Sequence, residues 1–115
     1  MLVVTRHTVA DPAAFLAAVE PALAAVSSQS GCEGAEVVRA FDDPQVFLFV
    51  MRWRDVGSFR RGMGHFEVKT TAVPLLYGAE DVPSTFEVLR VGVAGEVTAF
   101  EPDLAPDADT AGPGR

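Results

Sequence analysis

Two side chains of this sequence are of the type whose unperturbed pKa lies near neutrality, His7 and His65, the only histidines present. A neutral imidazole can act as a general base and take a proton from a bound substrate. The plainer role for each is a surface or capping histidine. His65 is the preferred base, because it follows a stretch interrupted by Gly57, Gly62 and Gly64, where local stability is low and a pocket can open. Trp53, the one tryptophan, can hold a substrate ring or oxygen, although a tryptophan at a strand end also serves as a core anchor. Tyr77, the one tyrosine, can hydrogen-bond a substrate from a helix end or simply pack its ring with the hydroxyl in water.

Strong catalytic signatures are missing from the chain. It has no phosphate-binding glycine loop, no nucleophile–histidine–acid pattern and no His/Asp/Glu cluster with metal spacing. Cys32, the single cysteine, rules out an intrachain disulfide and a multi-cysteine metal site. With no histidine or lysine near it in sequence, it reads as a small inert residue. An enzyme built on this sequence must work by shaping a cavity.

The elements that position these residues follow from periodicity. Leu2–His7 alternates Val3, Thr5 and His7 against Leu2, Val4 and Arg6, as a strand does. Asp11-Pro12 is a helix start, and Phe15, Val19, Leu23 and Val26 form one apolar stripe. Pro21 inside this helix predicts a kink costing about 3 kcal/mol if uncompensated. Gly31 should end the helix. Ala35–Phe41 and Val46–Trp53 read as two strands joined by Asp42-Asp43-Pro44. In the second of these, Phe47, Phe49, Met51 and Trp53 share one face and Val46, Leu48, Val50 and Arg52 the other, so both faces need cover. A partner subunit or a ligand cavity would supply it.

Asp55 caps a short helix with Phe59 as its apolar contact, and a second helical piece, His65–Leu76, turns Phe66, Val73 and Leu76 inward. Thr85–Val91 reads as the fourth strand. Buried Arg6 or Arg52 would need an anion, with Glu36 and Glu87 the nearest in the pattern. Residues 1–100 form one α+β domain, and residues 101–115, rich in Pro, Asp, Ala and Gly, read as a flexible acidic tail.

This order is the ferredoxin-like βαββαβ arrangement with a four-stranded antiparallel sheet. Gly31-Cys32 opening the second strand, the Asp42-Asp43-Pro44 hairpin, the apolar strand ending Trp53-Arg54-Asp55 and the helix with His65-Phe66 together resemble the antibiotic biosynthesis monooxygenase superfamily over residues 2–91. The resemblance implies a homodimer in which two sheets pack as a dimeric α/β barrel. It also implies oxidation of an aromatic polyketide-type phenol or a quinol by O2, with no metal, flavin or haem cofactor. The implied cavity lies between the sheet and the broken helix, lined by Phe47, Phe49, Met51, Trp53, Met63, Phe66 and Tyr77. There Trp53 would position the ring and His65 or His7 would take the proton. Haem-degrading relatives carry a histidine nine residues after the strand-three tryptophan, where this chain has Gly62, and an asparagine where it has Arg6-His7-Thr8. Rival readings are a polyketide cyclase or isomerase on the same scaffold and a non-catalytic domain that binds a small ligand.

A net charge of −7 argues against nucleic-acid binding; the one local positive patch is Arg52, Arg54, Arg60 and Arg61. No apolar run approaches the ~20 residues that cross a bilayer, and no leader pattern opens the chain, so a cytoplasmic location is expected.

Overall fold

The computed structural model describes residues 1–102, so the expected tail lies outside the described residues from residue 103 onward. The elements in chain order are β1 (Leu2–Thr8), α1 (Pro12–Ser27), β2 (Cys32–Arg39), β3 (Val46–Trp53), α2 (Val56–Met63), α3 (Phe66–Leu76), β4 (Thr85–Phe86), β5 (Arg90–Val93) and β6 (Glu96–Ala99). Strands one to four form one antiparallel sheet in the order β2-β3-β1-β4, the ferredoxin-like α+β arrangement.

Strand alternation decides which residues meet the helices. Across β1 and β3, Val3 pairs with Met51, Thr5 with Phe49 and His7 with Phe47, all six on the helix side and all buried. Their neighbours Leu2, Val4, Leu48 and Val50 point to the opposite face, which no helix covers and where they remain half-exposed. That open face also carries Arg6 and Arg52, both exposed.

Helix α1 begins where Asp11 caps it, its carboxylate accepting from the Ala14 N–H at 3.1 Å with Pro12 following. The helix runs unbroken through Pro21, whose ring lies on the exposed face, away from the packed one. The buried stripe is Val19, Ala22, Ala25 and Val26, with Phe15 and Leu23 half-buried beside it. Two alanines at the centre of that stripe let α1 lie close against the sheet and α3.

Three expectations need correction. The inner face of α3 is Val68 and Ala72, and Phe66 is 78% exposed. Phe66 precedes Val68 by two residues, about 200° around a helix, so both cannot face the core. β2 begins at Cys32 rather than Ala35, because an irregularity between Cys32 and Gly34 absorbs one residue and extends the pairing to Cys32↔Trp53. The last strand is not continuous over Thr85–Val91. It stops at Phe86, and β5 and β6 form a separate hairpin turning at Ala94-Gly95, both with positive φ (52° and 84°). That pair of left-handed residues is the requirement of a type I′ turn.

Two close approaches lock α2 onto the sheet. Gly31, at φ +85°, leaves room for Ser58, and a Cβ on Gly62 would lie 2.5 Å from the outer edge of the Trp53 ring. Gly62→Ala should therefore cost about 1–3 kcal/mol through overpacking. Gly57→Ala, where the flexible Arg61 head and, at ordinary van der Waals distance, the Asp55 carboxylate would be met, should be neutral or stabilising. Urea unfolding midpoints of the two variants check the contrast.

Candidate active site

The candidate residues fall into two groups, because the β1–β3 register spreads them along the sheet. Phe47 and Trp53 are six residues apart on β3, roughly 20 Å at ~3.3 Å per residue. His7 pairs with Phe47 at one end, while the backbone N–H of Trp53 donates to the Met1 carbonyl at the other. Helix α3 runs between the two ends. His65, at its N-cap, follows Gly62 and so belongs to the Trp53 end, the backbone N–H of His65 donating to the Gly62 carbonyl. Tyr77, at its C-cap, lies three residues before Glu80, whose backbone N–H donates to the Arg6 carbonyl beside His7. No small aromatic ring can touch Trp53 and His7 together.

At the tryptophan end the packing is closed. Trp53 is 1% exposed; its indole N–H donates to the Met51 sulfur at 3.5 Å, and Phe59 stands edge-on to its ring at 5.8 Å. Met63 packs half-buried on the same cluster, and Met51 and Phe49 are fully buried. The expected lining does not assemble, since His65, Phe66 and Tyr77 are all exposed. His65 makes no side-chain capping bond.

The histidine end has a different character. His7 is 2% exposed, with Nε2 2.8 Å from the Thr5 hydroxyl. Its ring lies 5.3 Å from Phe15, which in turn lies 5.1 Å from Phe47. Burial lowers the pKa of His7 below the ordinary 6.5, and the Glu80 carboxylate pulls the other way without overcoming it. Glu80 itself is held by the Thr8 hydroxyl at 2.9 Å and by Arg6 at 3.4 Å. Arg6 is thus exposed and paired with Glu80, rather than buried against Glu36 or Glu87. A neutral imidazole whose Nε2–H donates to Thr5 presents the Nδ1 lone pair as a base.

The sequence pattern favours His65 over His7 and gives no direct sign that Thr5, Phe15 and Glu80 stand around His7. The Thr5-x-His7 spacing, which places both side chains on one strand face, was the available signal. Glu80 comes from a loop 73 positions away and carries no local mark. Two grooves lie on the open face. The more apolar, about 390 Å³, is lined by Leu2, Val4, Arg6, Leu48, Val82, Pro83 and Phe86. Cys32 is half-buried against the core, its sulfur 3.6 Å from the Gly34 carbonyl. Among the described residues no three His, Cys, Asp or Glu side chains converge to hold a metal, and no helix is long and apolar enough to cross a membrane.

The lowered pKa of His7 has a testable sign. The unfolded chain protonates His7 at a higher pH than the folded one, so acidification through 6.5 favours unfolding. Stability should be flat above 6.5 on this account and fall as the pH drops below it; His7→Gln should remove that slope. Asp55, whose carboxylate caps the Ser58 N–H, is held below its ordinary 3.8 by that bond, so its contribution is lost only at lower pH. Urea titrations at a series of pH values, with an NMR titration of the His7 ring, check this.

The comparisons agree on the fold. The family model for antibiotic biosynthesis monooxygenases matches residues 4–72. No curated protein matches the chain. A solved structure of SnoaB, a cofactor-independent oxygenase from Streptomyces nogalater, determined as a mutant form, shares 21% identity with a TM-score of 0.61, covering 91% of this chain and 94% of that one. A Deinococcus radiodurans protein assigned to the antibiotic biosynthesis monooxygenases gives 19% identity and a TM-score of 0.55, covering 91% and 95%. A protein from Mycobacterium tuberculosis gives 14% and 0.58, covering 91% and 96%. With the family model spanning more than half of its length, and the four-stranded sheet and three helices in the matching order, the chain belongs to the antibiotic biosynthesis monooxygenase family.

Proposed function

We propose that this protein is a cofactor-independent monooxygenase that oxidises an aromatic polyketide-type phenol, anthrone or quinol with O2, and that His7 is its base. The observation that carries the reading is the buried imidazole of His7, oriented by Thr5 and flanked by Phe15 and Phe47. Family membership and the likeness to an oxygenase that uses no cofactor support it.

In this scheme Nδ1 of His7 removes a proton from the bound substrate. Phe15, half-buried on the first turn of α1, is the side chain a planar ring displaces to reach that nitrogen, and Phe47 supplies the surface on which it stacks. The substrate anion passes an electron to O2 and the two fragments combine. Loss of water then turns a ring CH2 into a carbonyl, so that one O2 yields one product oxygen and one H2O. Thr5 is a positioning residue that holds the imidazole tautomer. Trp53, with Met51 and Met63, anchors the far end of the core, and His65, Phe66 and Tyr77 take no part in the proton transfer.

The protein works as a homodimer in this reading, as members of its family typically do. The open sheet faces, with Leu2, Val4, Leu48 and Val50, pack on one another in the dimer. The single free cysteine suits the reducing cytoplasm.

Oxygen uptake with a panel of hydroxylated anthrones, naphthols and quinols tests the reaction. The expected product has gained one oxygen and lost two hydrogens. His7→Ala should lower kcat by about 10²–10⁴, Thr5→Val should lower it less, and His65→Ala should leave it unchanged. An unchanged rate in His7→Ala contradicts the assignment. Turnover that proceeds equally without O2 points to a cyclase or isomerase, and no turnover at all to a ligand-binding domain.

A further inference from the structure

One row of side chains crosses the helix-covered face at the His7 end of the sheet. His7 on β1 pairs with Phe47 on β3, and Phe47 pairs in turn with Arg39 on β2. Directly opposed residues of an antiparallel sheet share one face, so Arg39 stands on the same side as the imidazole. At ~4.8 Å between strands, the backbones of His7 and Arg39 are roughly 10 Å apart. Rings fill that interval. His7 lies 5.3 Å from Phe15, Phe15 lies 5.1 Å from Phe47, and the Arg39 guanidinium stands over Phe47 at 6.0 Å.

Arg39 differs from the rest of this row. His7 and Phe47 are buried, whereas Arg39, on the edge strand β2, is exposed. The ion pairs among the described residues are Arg6–Glu80 and Arg54–Asp55, and neither engages Arg39. A guanidinium lying over a ring is held by the ring's negative face. Its planar fork of N–H donors matches a carboxylate in a way that an ammonium does not. The chain as a whole carries a net charge of −7 and repels anions at long range, so an acidic ligand needs a local cation of this kind. The row therefore has a base at one end, a cation at the other and a flat aromatic floor between them.

We propose that Arg39 is a specificity-determining residue that binds the carboxylate of an aromatic hydroxy acid, whose opposite ring edge gives its proton to His7. This rests on the placement of the substrate at His7 given above and narrows the substrate class. A ring system lying over Phe47 reaches both groups only when its carboxylate and its acidic hydroxyl are on opposite edges.

Binding alone tests it on the full chain, without turnover, by NMR titrations that follow the His7 ring. The probes are 6-hydroxy-2-naphthoate, its 3-hydroxy isomer with the two groups adjacent, and neutral 2-naphthol. The 6-hydroxy acid should bind about tenfold more tightly than 2-naphthol. Arg39→Gln, at an exposed position, should remove that preference and leave the affinity for 2-naphthol unchanged. The 3-hydroxy isomer, too short to span the row, should lose little affinity in the same variant. A preference for the 6-hydroxy acid that survives Arg39→Gln overturns the anchor, as does an equal loss for both isomers. If 2-naphthol moves the His7 ring and the 6-hydroxy acid binds no better, the anchor fails while the His7 site stands. If no probe moves the His7 ring, the placement at His7 and the anchor fall together.

Discussion

The register of β1 against β3 is the constraint on which the rest of this structure depends. It sets Val3, Thr5 and His7 opposite Met51, Phe49 and Phe47 on the face that the helices cover. A slip of one residue would send all six to the open side and bring Arg6 and Arg52 under the helices, where their charges would lack water. The alternation also gives the open face its mixed character, apolar along Leu2, Val4, Leu48 and Val50 but with cations among them. One pairing thus decides what is core, what is site and what is left for a partner.

Close packing then separates the ends of the helix-covered face. Alanines at 22, 25 and 72 and glycines at 31 and 62 let backbone approach backbone and ring. The tryptophan end is consequently filled, its indole N–H already donating to Met51. At the other end the buried surface includes an imidazole and a hydroxyl, and Glu80 closes the rim with a carboxylate that Arg6 and Thr8 hold. The distance between the ends turns one imagined cavity into two separate environments, and only one of them contains a buried titratable group.

Much of this was legible in the sequence because the signals were local. The Asp11-Pro12 start, the strict alternation of Val46–Trp53 and the Asp42-Asp43-Pro44 connection each carry their own physics, and together they yield the strand and helix order. The candidate site was harder to read. Trp53 and His7 are both on inward strand positions, but nothing local says that they sit at opposite ends of paired strands; that follows only from the register. Phe66 looks like a core residue by type and is turned outward by the phase of α3. Ala94-Gly95 was missed because alanine is a poor advertisement for a left-handed turn, although the valine alternation on either side marked a hairpin.

The central claim is that substrate chemistry belongs to the His7 end and not to the Trp53 end, and ligand-detected chemical shifts separate these directly. A stable hydroxynaphthoquinone, resembling the expected product, can be titrated into isotope-labelled protein while the His7 ring and the single indole N–H are followed. The account predicts shifts at His7, Thr5, Phe15 and Phe47, with the Trp53 indole resonance unmoved. Shifts centred on the Trp53 indole and His65, with His7 silent, would contradict it.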